Sequence, residues 1–77
     1  MTRIISVQPI GDGWSLRSDA FDSEMMFFSG AKAEAAARRL AETIAKSGEG
    51  AEIRIFLRDG RLAGRVVKRA RNLALAS

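Results

Sequence analysis

The chain has no cysteine, no histidine and no tyrosine, and a single proline among its 77 residues. Without thiols there are no disulfide staples, and without thiols and imidazoles the usual zinc ligand sets cannot be assembled. The same absences remove the commonest general bases and activated nucleophiles. No apolar run approaches the roughly 20 residues that cross a bilayer. The N-terminal stretch breaks at Gln8 and Pro9, too early for the apolar core of a secretion signal. The expectation is a non-enzymatic cytoplasmic protein with no cofactor, no metal, no membrane contact and no small-molecule substrate. A chain of this size buries only about 60% of its unfolded surface, so its core is small, and self-association is a common remedy.

What is present is an uneven charge distribution. Residues 1–52 hold six Lys/Arg and eight Asp/Glu, whereas residues 53–77 hold seven Lys/Arg and only Asp59. The overall net charge is +4. Such a balance suits an anionic partner or a solubilising surface, since net charge speaks to association and solubility rather than to fold.

Periodicity organises the rest. Arg3 to Ile10 reads as a strand with Ile5 and Val7 on one face and Ile4, Ser6 and Gln8 on the other. Gly11-Asp12-Gly13 is a hairpin signal. Trp14 to Ser18 alternates Trp14 and Leu16 against Ser15 and Arg17. Glu24 to Phe28 reads as a third strand, but Met25, Met26, Phe27 and Phe28 put apolar groups on both of its faces. Ser29 is a suitable N-cap for a helix from Ala31 to Ser47. Ala33, Ala36, Ala37, Leu40, Ile44 and Ser47 fall on one helical stripe, with Glu34, Arg38, Glu42 and Lys46 opposite. Gly48 fits the C′ position. Ala51 to Arg58 alternates Ile53, Ile55 and Leu57 against Arg54, Phe56 and Arg58. Asp59-Gly60 signals a type I′ turn, and Arg61 to Val67 returns as a strand that Gly64 weakens.

The order β-β-β-α-β-β predicts an α+β domain over residues 1–67, an antiparallel sheet with one amphipathic helix packed on one face. Residues 68–77 form a basic C-terminal tail, a short helix or disordered. The expected core is Ile5, Val7, Trp14, Leu16, Leu40, Ile44, Ile53, Ile55 and Leu57.

Several short motifs carry a family resemblance. They are Gly11-Asp12-Gly13-Trp14-Ser15-Leu16, the alanines Ala33, Ala36, Ala37 and Ala41, Ile53-Arg54-Ile55, and Asp59-Gly60-Arg61-Leu62. Over roughly residues 4–64 the chain resembles bacterial domain-of-unknown-function family 2188, whose members read as a Gly-Trp strand, a helix and a strand ending in Asp-Gly. The departure is at Met25 to Phe28, where a Phe-containing strand followed by Thr is expected. The resemblance implies a small α+β fold and no activity. More loosely, residues 13–46 are similar in topology to the arm-type DNA-binding domains of phage integrases, which read DNA through the sheet.

Three constellations bear on function. Asp19, Asp22 and Glu24 offer oxygen ligands for a hard cation, although acidic residues in a connection more often serve as solvated turn formers. Arg54, Phe56, Arg58, Arg61 and Arg65, with Arg17 beside them, offer a ring flanked by guanidinium groups. Base stacking plus phosphate contact on DNA or RNA needs that combination. Lys68, Arg69 and Arg71 would add phosphate contacts, and the alternative is a solvated strand face. Finally, Ile4, Met26, Phe28 and Phe56 would form an apolar patch on the sheet face opposite the helix, a surface for a homodimer unless Leu73 and Leu75 fold back over it. The leading expectation is a self-associating interaction module; the alternative is a nucleic-acid-binding domain.

Overall fold

Strands β1 (Thr2–Ile10), β2 (Gly13–Ser18) and β3 (Met25–Phe27) are followed by α1 (Gly30–Lys46), β4 (Gly50–Phe56) and β5 (Leu62–Lys68) in a computed structural model that describes residues 2–71. The five strands form one sheet in the order β3-β2-β1-β4-β5, so the class is α+β. The sheet is mixed rather than wholly antiparallel: β1 and β4 run parallel, and the other three pairs are antiparallel. The reason is the long connection between β3 and β4. Parallel neighbours need a crossover of a dozen or more residues, and α1 supplies it. The helix carries the chain back over the sheet and delivers β4 to the free side of β1. The expected alternation of faces survives, because it does not depend on strand direction.

The local signals act as their chemistry requires. Ser29 Oγ accepts the Lys32 backbone N–H at 3.1 Å and so caps α1. At the other end Gly48 has φ +98°. Its N–H reaches the Ala45 carbonyl, and the Glu49 N–H reaches that of Ile44, the paired bonds of a Schellman ending. The first hairpin closes through Gly11 and Asp12, and only Gly11 is left-handed, as in a type II′ turn. The second hairpin departs from the expected type I′ turn, which needs positive φ at both central residues. Here Gly60 alone is left-handed, at φ +91°. Its N–H bonds Leu57 O, and Leu57 N–H bonds Arg61 O at 2.7 Å. This is the three-residue loop built on a type I turn with a glycine bulge.

The core lies between α1 and one face of the sheet. Ile5, Val7, Leu16 and Ile53 are fully buried and cluster with Ala33, Ala37, Ala41 and Ile44 of the helix. Burying each of the large side chains contributes about 1.5–3 kcal/mol, and the small alanines let the helix axis approach them. Trp14, Phe21, Phe27, Leu40, Ile55 and Val66 close the rim. Ser47, expected on the buried stripe, is instead the exposed C-cap.

Leu57 does not join the core; it is 44% exposed. Pairing of β1 with β4 stops at Val7 and Ile55. Two residues beyond Val7 the chain offers Pro9, which has no N–H to give a neighbour. The chain therefore leaves the sheet after Phe56, and Leu57 begins the turn.

Gly30, the first residue of α1, sits against the Trp14 indole. A methyl group there would stand 2.9 Å from Trp14 Cε2 and Cζ2. Alanine is favoured over glycine in helices by up to about 1 kcal/mol, but crowding of this kind costs roughly 1–3 kcal/mol. Gly30→Ala should lower the urea midpoint and shift the emission of Trp14, the sole tryptophan. A raised midpoint with unchanged emission would show that the indole does not fill this space.

Candidate functional site on the open sheet face

With the helix on one face, the opposite face carries the even-numbered residues of β1 and β4. Cross-strand register sets them in rows. Arg17 stands opposite Ser6, Ser6 opposite Arg54, and Arg54 opposite Arg65. One row therefore runs Arg17–Ser6–Arg54–Arg65 across four strands. On one side of it lies the row Ile4–Glu52–Val67. On the other side lie Met26–Ser15–Gln8 and, on β4 and β5, Phe56 opposite Leu62. A register shift between Ile55 and Phe56 brings Leu62 to this face.

Arg54 directly opposite Arg65 would be unfavourable as a bare like-charge pair. Glu52 resolves it. Its side chain, 11% exposed, accepts from Arg54 Nε, and Arg65 Nε lies 3.3 Å from its other oxygen. Chiefly through the Arg54 bond, the Glu52 carboxyl is held below the usual glutamate range. A second carboxylate acts in the same way. Glu24 accepts the hydroxyl of buried Ser15 at 2.7 Å and Arg17 Nε at 2.9 Å. The Ser15 bond, then that from Arg17, lowers its pKa. All three arginines are gripped through Nε. These contacts use Nε, and each guanidinium has four further N–H donors on its terminal amino groups.

The structure thus brings together Arg54, Phe56 and Arg65, with Arg17 completing their row. It does not bring in Arg58 and Arg61. Arg58 lies in the second hairpin loop and donates to the Gly11 carbonyl at 3.0 Å, tying the two hairpin ends together. Arg61 folds back on Asp59 at 2.8 Å. The type I turn and the bulge take both out of the strand register that sequence parity assumes. Asp19 accepts the Ile4 N–H at 3.0 Å, and no group of three or more acidic side chains that could hold a metal ion occurs among the described residues.

The proposed apolar patch is divided. Ile4 and Phe56 are half-buried on the open face, with the arginine row between them. Met26 is on the same face at the far strand and 57% exposed. Met25 and Phe27 point to the helix side, although Met25 remains 43% exposed. Phe28 lies past the end of β3, 94% exposed, and forms one wall of a groove of about 280 Å³ lined also by Ile10, Asp12, Gly13, Met26 and Phe27.

Residues 69–71, after β5, turn toward the helix. Arg71 N–H bonds the Ala45 carbonyl at 3.0 Å. Lys68 Nζ lies 2.9 Å from Glu42, and Arg71 pairs with the same carboxylate. β5 takes in Lys68, the first residue of the expected tail, while Leu73 and Leu75 lie outside the described residues. No helix among the described residues is long and apolar enough to cross a membrane.

The sequence pattern gave Glu52 no role, although a lone acid two residues before Arg54 on an alternating strand is a readable signal, and it pointed Glu24 to a cation or a solvated turn rather than to Arg17. The chain matches no family model, no curated protein and no solved structure.

Glu24, Glu42, Glu49 and Glu52 all have lowered pKa values, each through hydrogen bonds or ion pairs made in the folded state. For Glu42 the main cause is Lys68, and for Glu49 it is Arg3. A lowered folded value means stability that is complete above the unfolded glutamate pKa, about 4.3, and is lost as pH falls below it. With no histidine, no side chain titrates near neutrality. Urea midpoints should therefore be flat from about pH 8 to about pH 5 and fall below about pH 4. Glu49→Gln, remote from the open face, should make that fall shallower. Equal slopes in the variant and the parent would remove Glu49 from this account.

Proposed function

We propose that the chain is a non-enzymatic binding module whose open sheet face takes nucleic acid. The observation that carries this reading is the Arg17–Ser6–Arg54–Arg65 row, gripped through Nε by Glu24 and Glu52, with Phe56 beside it. Phosphates are bound best by forks held in place, because less side-chain freedom is lost on contact. The carboxylates fix the stems and leave the donor ends for a partner. The arginines are 44% to 64% exposed, so they are both positioned and reachable. The net charge of +4 favours the approach of a polyanion.

A sheet-to-sheet homodimer through Ile4, Met26, Phe28 and Phe56 fits this face less well. Two copies would set one arginine row against another, and Phe28 stands apart. Self-association is better placed at the β3 edge, a second reading favoured by the exposure of Phe28 in the wall of the apolar groove. A twofold axis would set this same apolar patch of each copy against the other.

Two measurements test these readings. Anisotropy of labelled oligonucleotides should show binding that weakens steeply between about 50 and about 200 mM salt. Arg17→Gln combined with Arg65→Gln, which leaves Arg54 on Glu52, should weaken binding and reduce the log–log salt slope by about two. Arg39→Gln on the exposed side of α1 should change little. Unchanged affinity in the double variant, or no binding at low salt, would overturn the reading. For the second reading, sedimentation velocity should show a concentration-dependent dimer that Phe28→Ser abolishes; a monomer at every concentration would exclude it.

A further inference from the structure

We infer that the nucleic acid this face accepts is single-stranded, with a base stacked on the Phe56 ring while the backbone follows the arginine row. This deepens the reading above and rests on it. The first reason is width. Five strands at roughly 4.8 Å spacing make a face about 19 Å across. The major groove of duplex DNA is only about 12 Å wide and admits a helix or a two-stranded ribbon. The face cannot enter it as a unit. The one helix among the described residues lies on the other side of the sheet, with its alanine stripe seated there, so it does not reach a duplex bound on this face. A duplex would meet the arginines through its phosphates alone and present no base plane to the ring, because its bases are already stacked on one another.

The second reason is what surrounds the ring. Phe56 is outside the core; the rings packed there are Trp14, Phe21 and Phe27. It is half-buried on the open face, so part of the residue remains reachable from solvent. Arg54, two residues away on β4, shares that face. Gln8 lies one residue beyond Val7 on β1, as Phe56 lies one beyond the Val7 partner Ile55. An unpaired base laid on the ring would thus have an amide within the neighbouring strand and a guanidinium fork at the next row. Amides and guanidinium groups recognise base edges and phosphates that a duplex hides or presents elsewhere. Base–aromatic stacking tolerates any base, so this surface selects strandedness more than sequence. The row itself spans three inter-strand spacings, roughly 14 Å, long enough to meet more than one phosphate of an extended strand.

The test compares short single-stranded DNA, single-stranded RNA and duplex DNA of equal length by anisotropy, using the parent chain, Phe56→Leu and Phe56→Trp, each checked by circular dichroism. Both single strands, or one of them, should bind at least about tenfold more tightly than duplex. Phe56→Leu should weaken single-strand binding by roughly 5- to 150-fold, the equivalent of one lost base stack. Phe56→Trp should restore it, and duplex binding should not respond to either change. Duplex bound as tightly as single strands, or single-strand affinity unaffected in Phe56→Leu, would overturn this inference while leaving the nucleic-acid reading in place. No salt-dependent binding to any of the three probes would overturn both.

Discussion

The seating of an alanine stripe on Ile5, Val7, Leu16 and Ile53 is the contact from which the rest of the molecule follows. Because Ala33, Ala37 and Ala41 have so little side chain, the helix can lie low over the sheet and bury these residues completely. That occupies one face. Strand alternation then leaves Ser6, Arg17, Arg54, Phe56 and Arg65 nowhere to go except the other face. The polar surface is thus a geometric by-product of the core. A one-residue slip in β1 or β4 would exchange the two sets and destroy both at once.

Much of this was legible because it is local. The parity of Ile53 and Ile55 against Arg54 and Phe56 is a property of strand geometry and holds in the structure. The Ser29 cap and the Gly48 ending follow from hydroxyl chemistry and from the lack of a Cβ. The features that sequence did not reveal are those set by non-local partners. The parallel pairing of β1 with β4 depends on where a helix deposits the chain. The fate of Leu57 depends on Pro9, 48 positions earlier, which ends the ladder. The displacement of Arg58 and Arg61 depends on a turn with one left-handed residue where two were expected, and on a bulge that resets the register. For Leu57 and Arg58 the alternation pattern holds up to the point where regular backbone pairing stops.

Electrostatically the open face is not a simple positive patch. Three guanidinium groups lie among two carboxylates, and its local charge is modest. What distinguishes it is order. Glu52 separates two arginines that would otherwise repel, and Glu24 ties Arg17 to the buried hydroxyl of Ser15. Surface ion pairs of this kind contribute little to stability. Their effect here is to hold side chains that would otherwise sample many rotamers, and an arginine already held loses less freedom when it meets an anion. The pairs on the opposite side, Lys68 and Arg71 with Glu42, perform a structural task instead, fastening the end of β5 to the helix.

The seven-residue strand β5 forms one border of the sheet, and half of its backbone amides and carbonyls face outward without a neighbouring strand. Such a border is a template on which further chains can add and grow into fibrils. Arg65 at its middle and Lys68 at its end place like charges where an incoming copy would have to stack. Neutralising Arg65 would therefore do more than weaken an anion site; it would also remove a charge that guards this border against the addition of further strands.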